Sequence, residues 1–231
     1  VEKPAPADNQ VLVRVCAASI NKADLYFLRG PFLARLMGVG LLKPKNKMLG
    51  TDIAGRVEAV GRNVKQFQPG DEVFGGASGS FAEYVCARED LLALKPANVT
   101  FEEAAAVPVA AITALQALRD KGRAQLGQKV LINGASGGVG TFAVQIAKFY
   151  GAEVTGVDST MKLDMMRSIG ADHVIDYTQE DFTKSGQRYD LILATAGYRS
   201  IFDYKRALSP KGIYVVTGGS MSQIFQAMIL G

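Results

Sequence analysis

Histidine and cysteine are the scarce residues of this 231-residue chain: one histidine, His173, and two cysteines, Cys16 and Cys86. A zinc lobe built on four cysteines is therefore excluded, and neither cysteine stands in ligand spacing with His173. The cysteines lie far apart in apolar, strand-like runs, which does not fit a disulfide-stapled secreted scaffold. They read as buried, reduced thiols of a cytoplasmic protein. His173 falls in a loop leading into a strand and reads as a surface residue. No apolar run reaches the roughly 20 residues of a membrane span and no secretory leader pattern is visible, so no membrane partner is expected. Charge of one sign is not concentrated either. The 26 basic and 22 acidic residues are interspersed, for a net charge of +4, so no nucleic-acid partner is expected. A mild positive balance suits a small ligand that carries phosphate. Hydrophobic residues at 48% and charged residues at 21% leave enough apolar surface for one large domain or two small ones.

What is present is concentrated around residue 134. Val130-Leu131-Ile132-Asn133 reads as a buried strand. Gly134-Ala135-Ser136-Gly137-Gly138-Val139-Gly140 reads as a glycine-rich turn that opens a helix. Free N–H groups and the helix dipole favour an anion at such a terminus, and glycine lets the backbone approach it closely. In a GxGxxG pattern, Gly137 and Gly140 take the second and third glycine positions, and Ala135 departs from the pattern at the first. Residues 141–150 are apolar at helical spacing and end at Gly151, a good helix-terminating residue. A second strand over 153–157 ends at Asp158. An acid about 20 residues beyond the glycines is placed to meet the ribose of an adenosine.

The first hundred residues read as strands and turns, with strands expected over 10–17, 55–60, 73–74 and 81–86. Short helical pieces are expected between residues 23 and 37, and a solvated basic loop over 43–47. The character changes near Asn98. Thr100 with Glu103 forms a capping box, opening a helix over 101–107 that Pro108 breaks, and a second helix follows over 109–119. Strand and helix then alternate: helices over 141–150, 162–169 and 201–208, and strands over 130–133, 153–157, 173–175, 191–194 and 213–217. Residues 209–212 read as the turn into the last strand. Such alternation is that of a parallel sheet covered by helices on both faces.

The chain resembles the medium-chain dehydrogenase/reductase superfamily, in its zinc-free, quinone-oxidoreductase-like branch. The matching stretches are Ala18-Ser19-Ile20-Asn21-Lys22-Ala23-Asp24, Gly50-Thr51-Asp52-Ile53-Ala54-Gly55, Pro69-Gly70-Asp71-Glu72-Val73, Gly79-Ser80-Phe81-Ala82-Glu83-Tyr84-Val85, the turn 134–140, and residues 168–177. The resemblance implies an α/β protein: a GroES-like, mostly-β catalytic domain over residues 1–98 and a Rossmann, doubly wound parallel-sheet domain over 99–231. Relatives run further at both ends, so an incomplete copy is expected, with a homodimer formed by the full-length protein.

The resemblance also implies chemistry. Where zinc-dependent members carry their catalytic ligands, this chain reads Asn21, Thr51 and Asp52, so no metal is expected. Without a Lewis acid, alcohol dehydrogenation is disfavoured. Hydride transfer from a reduced nicotinamide to an electron-poor small molecule, a quinone or an α,β-unsaturated carbonyl, is the expected reaction. Asn21 is the candidate neutral donor to the acceptor oxygen, with Asp24 and Tyr26 as further catalytic candidates. Thr113, Ala196, Gly197, Gly218 and Gly219 are expected on the nicotinamide side, and Ala135, Ser136, Gly137, Gly138, Val139 and Gly140 around the pyrophosphate. Asp158 favours NADH. Ser159 follows at once, and Lys162 and Tyr177 match positions that in this branch often hold a 2′-phosphate, so NADPH is the expected cofactor with NADH kept open. An NADPH-binding regulatory or structural protein and an enoyl-thioester reductase module stand as alternatives.

Overall fold

A computed structural model describes residues 2–29, 49–220 and 226. It divides into two compact units, Val1–Ala110 and Ala111–Gly231. The segments expected between residues 30 and 48, including the basic loop over 43–47, lie outside the described residues.

The first unit is built on an antiparallel sheet of β1 (Gln10–Ser19), β2 (Asp52–Val60), β3 (Glu72–Gly76), β4 (Tyr84–Arg88) and β5 (Leu92–Leu94), in the order β4-β1-β2-β3-β5. Alternation buries Val11, Val13, Ile53, Val57, Val73 and Val85 in one cluster. The same alternation turns Arg14, Cys16 and Ala18 outward. Cys16 is thus exposed and Cys86 half-buried, which corrects the expectation of two buried thiols. Helix α1 (Lys22–Arg29) follows β1 directly. The β1–β2 register sets Ser19 opposite Asp52, a pairing that matters below.

The capping box forms as expected. Thr100 Oγ1 accepts from the Glu103 N–H and the Glu103 carboxylate accepts from the Thr100 N–H. Helix α2 (Phe101–Ala105) then presses Ala104 and Ala105 onto Ala54 of β2. The compact boundary therefore falls beyond the change of sequence character at Asn98. Pro108 does not break a helix but starts one. It is the first residue of α3 (Pro108–Leu115), where a missing N–H costs nothing. The helix continues as a π turn, Gln116–Lys121, closed by a 2.7 Å bond from the Gly122 N–H to the Ala117 carbonyl.

The second unit is a parallel sheet of β6 (Lys129–Asn133), β7 (Glu153–Asp158), β8 (His173–Asp176), β9 (Tyr189–Ala194) and β10 (Leu208–Val216), in the order β10-β9-β6-β7-β8. Helices α4 (Gly138–Phe149), α5 (Leu163–Ser168) and α6 (Ile201–Ala207) connect them. Val130 and Ile132 of β6 pack in one core with Ala143 and Val144 of α4. Leu131 packs in another with Tyr204 and Ala207 of α6. Both faces of the sheet are covered, as a doubly wound fold requires. The order reverses between β6 and β9, and ligands of such sheets lie at the carboxyl ends beside that reversal. One reading changes: β10 begins at Leu208, and the turn expected over 209–212 is an irregularity inside it, between the pairs Leu208–Tyr189 and Ile213–Leu191. Pro210, which has no N–H to give a ladder, sits within the irregular stretch.

Candidate functional site

The glycine turn follows β6 at the sheet's reversal point. Gly134 has φ +87°, a left-handed backbone, and its N–H and that of Ala135 donate to the Val157 carbonyl at 2.9 and 3.2 Å. A Cβ on Gly140 would lie 2.1 Å from the Gly134 carbonyl oxygen and 2.7 Å from Ala135 backbone atoms, so α4 can meet the strand only through a glycine there. Gly137 differs. It caps α4 with φ −75°, and among the described residues no side chain caps the helix and an added Cβ would have only the Gly134 oxygen, at 3.4 Å, within 4 Å. The fold needs Gly140, whereas the space before Gly137 stays open. Gly137 and Gly138 are exposed, Ser136 and Val139 half-buried, and Ala135 is buried as part of the core.

Asp158 ends β7 beside this turn. Its Oδ2 accepts from the Ser136 N–H at 3.1 Å and the Ser136 hydroxyl at 2.6 Å, and its Oδ1 accepts from the Ser159 N–H at 2.9 Å. Lys162 is exposed at the end of a 3₁₀ turn, Thr160–Lys162, and makes no ion pair among the described residues. The Tyr177 N–H donates to the Asp158 carbonyl at 3.1 Å, and its ring meets that of Tyr198 with centroids 5.5 Å apart. Asp176, just before it, accepts from the Thr160 hydroxyl and from the hydroxyl and N–H of Thr178. The Thr160 bond in particular holds its carboxyl below the usual range. Ser159, Lys162 and Tyr177 thus gather around the end of β7.

At the ends of β9 and β10, the Gly197 N–H donates to the Gly218 carbonyl at 3.0 Å and Gly197 pairs with Gly219. The Ala196 N–H reaches the Asn133 carbonyl at 3.2 Å and its side chain is exposed. Sequence reasoning passed over Thr195. Its hydroxyl shares its one proton between the carbonyls of Asn133 and Gly134, at 3.0 and 2.9 Å, tying the end of β9 to the glycine turn. A polar residue directly after an apolar strand was the available signal. Thr113 is half-buried on α3. His173 is exposed and its Nε2 lies 2.9 Å from Glu153, as a surface residue should.

The first unit holds a polar cluster around Asp52, which is fully buried. Its Oδ2 accepts from the Ser19 hydroxyl at 2.7 Å and the Asn21 amide at 2.8 Å, and its Oδ1 from the Val109 N–H at 3.1 Å, at the start of α3. An ionised carboxylate only accepts, so the Asn21 nitrogen must face it. The second amide proton points at the Ser19 oxygen, 3.4 Å away. Both amide protons of Asn21 thus have partners within the cluster. Asp24, also buried, accepts the Asn21 N–H at 2.7 Å and so closes the start of α1. The Tyr26 side chain lies outside the described residues.

The donor set does not fit a catalytic zinc. Residues 21, 51 and 52 offer an amide, a hydroxyl and one carboxylate already engaged by three donors, where zinc takes thiolates, imidazoles or carboxylates with free lone pairs. The donor set of the turn does fit a dinucleotide, because open backbone precedes Gly137 and no side chain caps α4.

Two family models match: an alcohol dehydrogenase GroES-like domain over residues 7–97 and a zinc-binding dehydrogenase over residues 138–230. The chain is 36% identical over 228 residues to a chloroplast envelope quinone oxidoreductase homolog of Arabidopsis thaliana, covering 92% of this chain and 67% of the relative. It is 37% identical over 209 residues to a 2-methylene-furan-3-one reductase of Solanum lycopersicum, covering 85% of this chain and 52% of the relative. Among solved structures, the CurK enoyl reductase superposes with a TM-score of 0.88 at 29% identity, over 96% of this chain and 69% of that one. The chain belongs to the medium-chain dehydrogenase/reductase superfamily, in its quinone-oxidoreductase-like branch. It spans about half the length, 52%, of several curated relatives it matches.

Proposed function

We propose that the protein is an oxidoreductase that takes hydride from NADPH, with NADH as a lesser donor, and reduces a quinone or an α,β-unsaturated carbonyl. The observation that carries this reading is the contrast between Gly140, which packing requires, and Gly137, which packing does not. A glycine that the fold leaves unused, at the start of an uncapped helix beside the sheet's reversal point, is a place for a pyrophosphate. Names support the class of reaction: the Arabidopsis thaliana relative called NADPH-dependent alkenal/one oxidoreductase is 38% identical over 206 residues.

When bound, a reduced nicotinamide supplies the hydride. The chain supplies placement. In this reading, N–H groups of residues 136–140 hold the pyrophosphate, and Asp158, Ser159, Lys162 and Tyr177 surround the adenosine ribose. Thr113, Ala196, Gly197, Gly218 and Gly219 border the nicotinamide. Asp52 and Asp24 order the segment that carries Asn21. Hydride and one proton from water together complete the reduction, and no metal takes part.

Turnover tests this. Oxidation of NADPH by a simple naphthoquinone or an alkenal, with EDTA present, is the expected result. Binding without oxidation would favour a regulatory role. Oxidation confined to enoyl thioesters would favour a second reading, an enoyl-thioester reductase, which the superposition on the CurK enoyl reductase supports. A homodimer of the full-length protein and a cytoplasmic site are further proposals. Among the described residues no helix is long and apolar enough to cross a membrane, while relatives include proteins named chloroplastic and mitochondrial.

A further inference from the structure

The end of β7 poses a contradiction: Asp158 is the residue type that selects NADH by bonding the ribose 2′-hydroxyl and repelling a 2′-phosphate, yet it is followed by Ser159 and by an exposed Lys162 that makes no ion pair among the described residues. The hydrogen bonds of Asp158 resolve it. An ionised carboxylate has about four lone-pair sites, two on each oxygen. Both sites on Oδ2 are taken by Ser136, through its N–H at 3.1 Å and its hydroxyl at 2.6 Å. One site on Oδ1 is taken by the Ser159 N–H at 2.9 Å. A single site is left. The three donors also direct their positive ends at the carboxylate and offset its field where a 2′-phosphate would come.

Two of the three donors are backbone groups, present whatever the side chain. The hydroxyl is not. It makes the shortest of the three bonds and comes from the residue between Ala135 and Gly137, in the turn that meets the pyrophosphate.

We propose that Ser136 determines the cofactor preference of this chain: its hydroxyl holds the Asp158 carboxylate against the glycine turn and so admits the 2′-phosphorylated dinucleotide beside an acid that would otherwise exclude it. The inference rests on the proposed dinucleotide site. It assigns Ser136 a role separate from any contact with the pyrophosphate, because that contact would serve NADH and NADPH alike. Removing the hydroxyl frees a lone pair on Oδ2 for a ribose hydroxyl and restores the acid's unscreened charge.

The experiment is a parallel fluorescence titration of NADPH and NADH against the full chain, its Ser136→Ala and Asp158→Ser variants, and the double variant. Thermal melts report that each is folded. The wild type is expected to prefer NADPH. Ser136→Ala is expected to move the ratio of the two dissociation constants about tenfold toward NADH, the size of one charge-assisted hydrogen bond. In the Asp158→Ser background the same change is expected to leave the ratio where it was, since no carboxylate remains to release. Ser136→Cys, which keeps the volume but donates weakly, is expected to shift the ratio in the same direction and serves if the alanine variant fails to fold. Equal weakening of both cofactors by Ser136→Ala would overturn the proposal, as would an unchanged ratio or the same shift in the Asp158→Ser background. A wild type that binds neither nucleotide would overturn the dinucleotide reading itself, a distinct result.

Discussion

Asp52 holds Asn21 by its amide nitrogen, at 2.8 Å, and with the same carboxylate holds Ser19 and the first turn of α3 through the Val109 N–H. Replacing Asp52 with alanine strands three part-buried donors, the Val109 N–H among them. Each buried unsatisfied group costs about 1–3 kcal/mol. Asp52→Ala is expected to lose about 3 kcal/mol, or roughly 6–12 °C in Tm for a chain of this size. Asn21→Ala removes one donor and leaves the carboxylate two, so about 1 kcal/mol is expected. Calorimetry that ranked Asn21→Ala as the more damaging change would refute this arrangement.

The two conspicuous glycines of the turn should separate fold from function. Gly140→Ala drives a methyl to within 2.1 Å of the Gly134 carbonyl, a backbone clash that side-chain motion cannot relieve, and about 3 kcal/mol or more is expected. Gly137→Ala meets its nearest neighbour at 3.4 Å with φ at −75°, so stability should stay within about 1 kcal/mol. Its NADPH affinity should nonetheless fall about tenfold or more, because the methyl fills the approach to the phosphates. Melting curves and a binding titration on the same two proteins decide the matter.

Asp172 gives a pH-dependent prediction. Burial acts to raise its carboxyl, but Lys148 Nζ at 2.7 and 2.8 Å and the Val154 N–H at 2.7 Å outweigh it, and the group is held below its ordinary value. A lowered folded pKa contributes stability above the unfolded value, about 3.9, and that stability disappears as pH falls through the folded value. Both side chains are 35% exposed, so solvent screening limits the pair to about 1 kcal/mol. Asp172→Asn should therefore be less stable than wild type at pH 7, with the gap closing below about pH 4. A gap that widened on acidification would reverse the sign of the argument.

The thiols should react in order. Burial pushes the Cys86 thiol up, which lowers its thiolate fraction, and it is half-buried, whereas Cys16 is exposed on β1. Peptide mapping after brief iodoacetamide treatment at pH 8 is expected to find Cys16 modified first. Faster modification of Cys86 would contradict this burial pattern.

The Rossmann half was legible because each of its elements carries its own local signal. Val130, Leu131 and Ile132 form the apolar run of a strand, Gly134 to Gly140 punctuate it, and Gly151, at φ +77°, ends the helix as read. The capping box at Thr100 was equally local. Other features depended on partners distant in sequence. The three-residue β5 has no periodicity to detect and exists because Val73 to Gly75 pair with it. The hydrogen bond from the Asn21 amide to Asp52 joins residues 31 apart, which no local pattern announces. The engagement of Asp158 by Ser136 spans 22 residues and follows from the parallel register of β6 and β7, which no spacing rule contains. Sequence placed the site residues near one another; it did not say which of their hydrogen bonds were already spent.

The π turn at Gln116–Lys121 bears on how this chain tolerates gain or loss of residues. A helix that closes a turn from Gly122 to Ala117 holds one residue more than α geometry needs. Ala117 and Leu118 are both buried in the core of the second unit. Gly122, whose added Cβ would strike Leu191 at 2.7 Å, lets the widened end settle onto β9. Deleting a residue within the turn would tighten it to ordinary pitch and rotate everything before it by about 100°, carrying Ala114 out of the same core. The segment is thus intolerant of indels in one direction: its extra residue is a phase correction between α3 and the sheet.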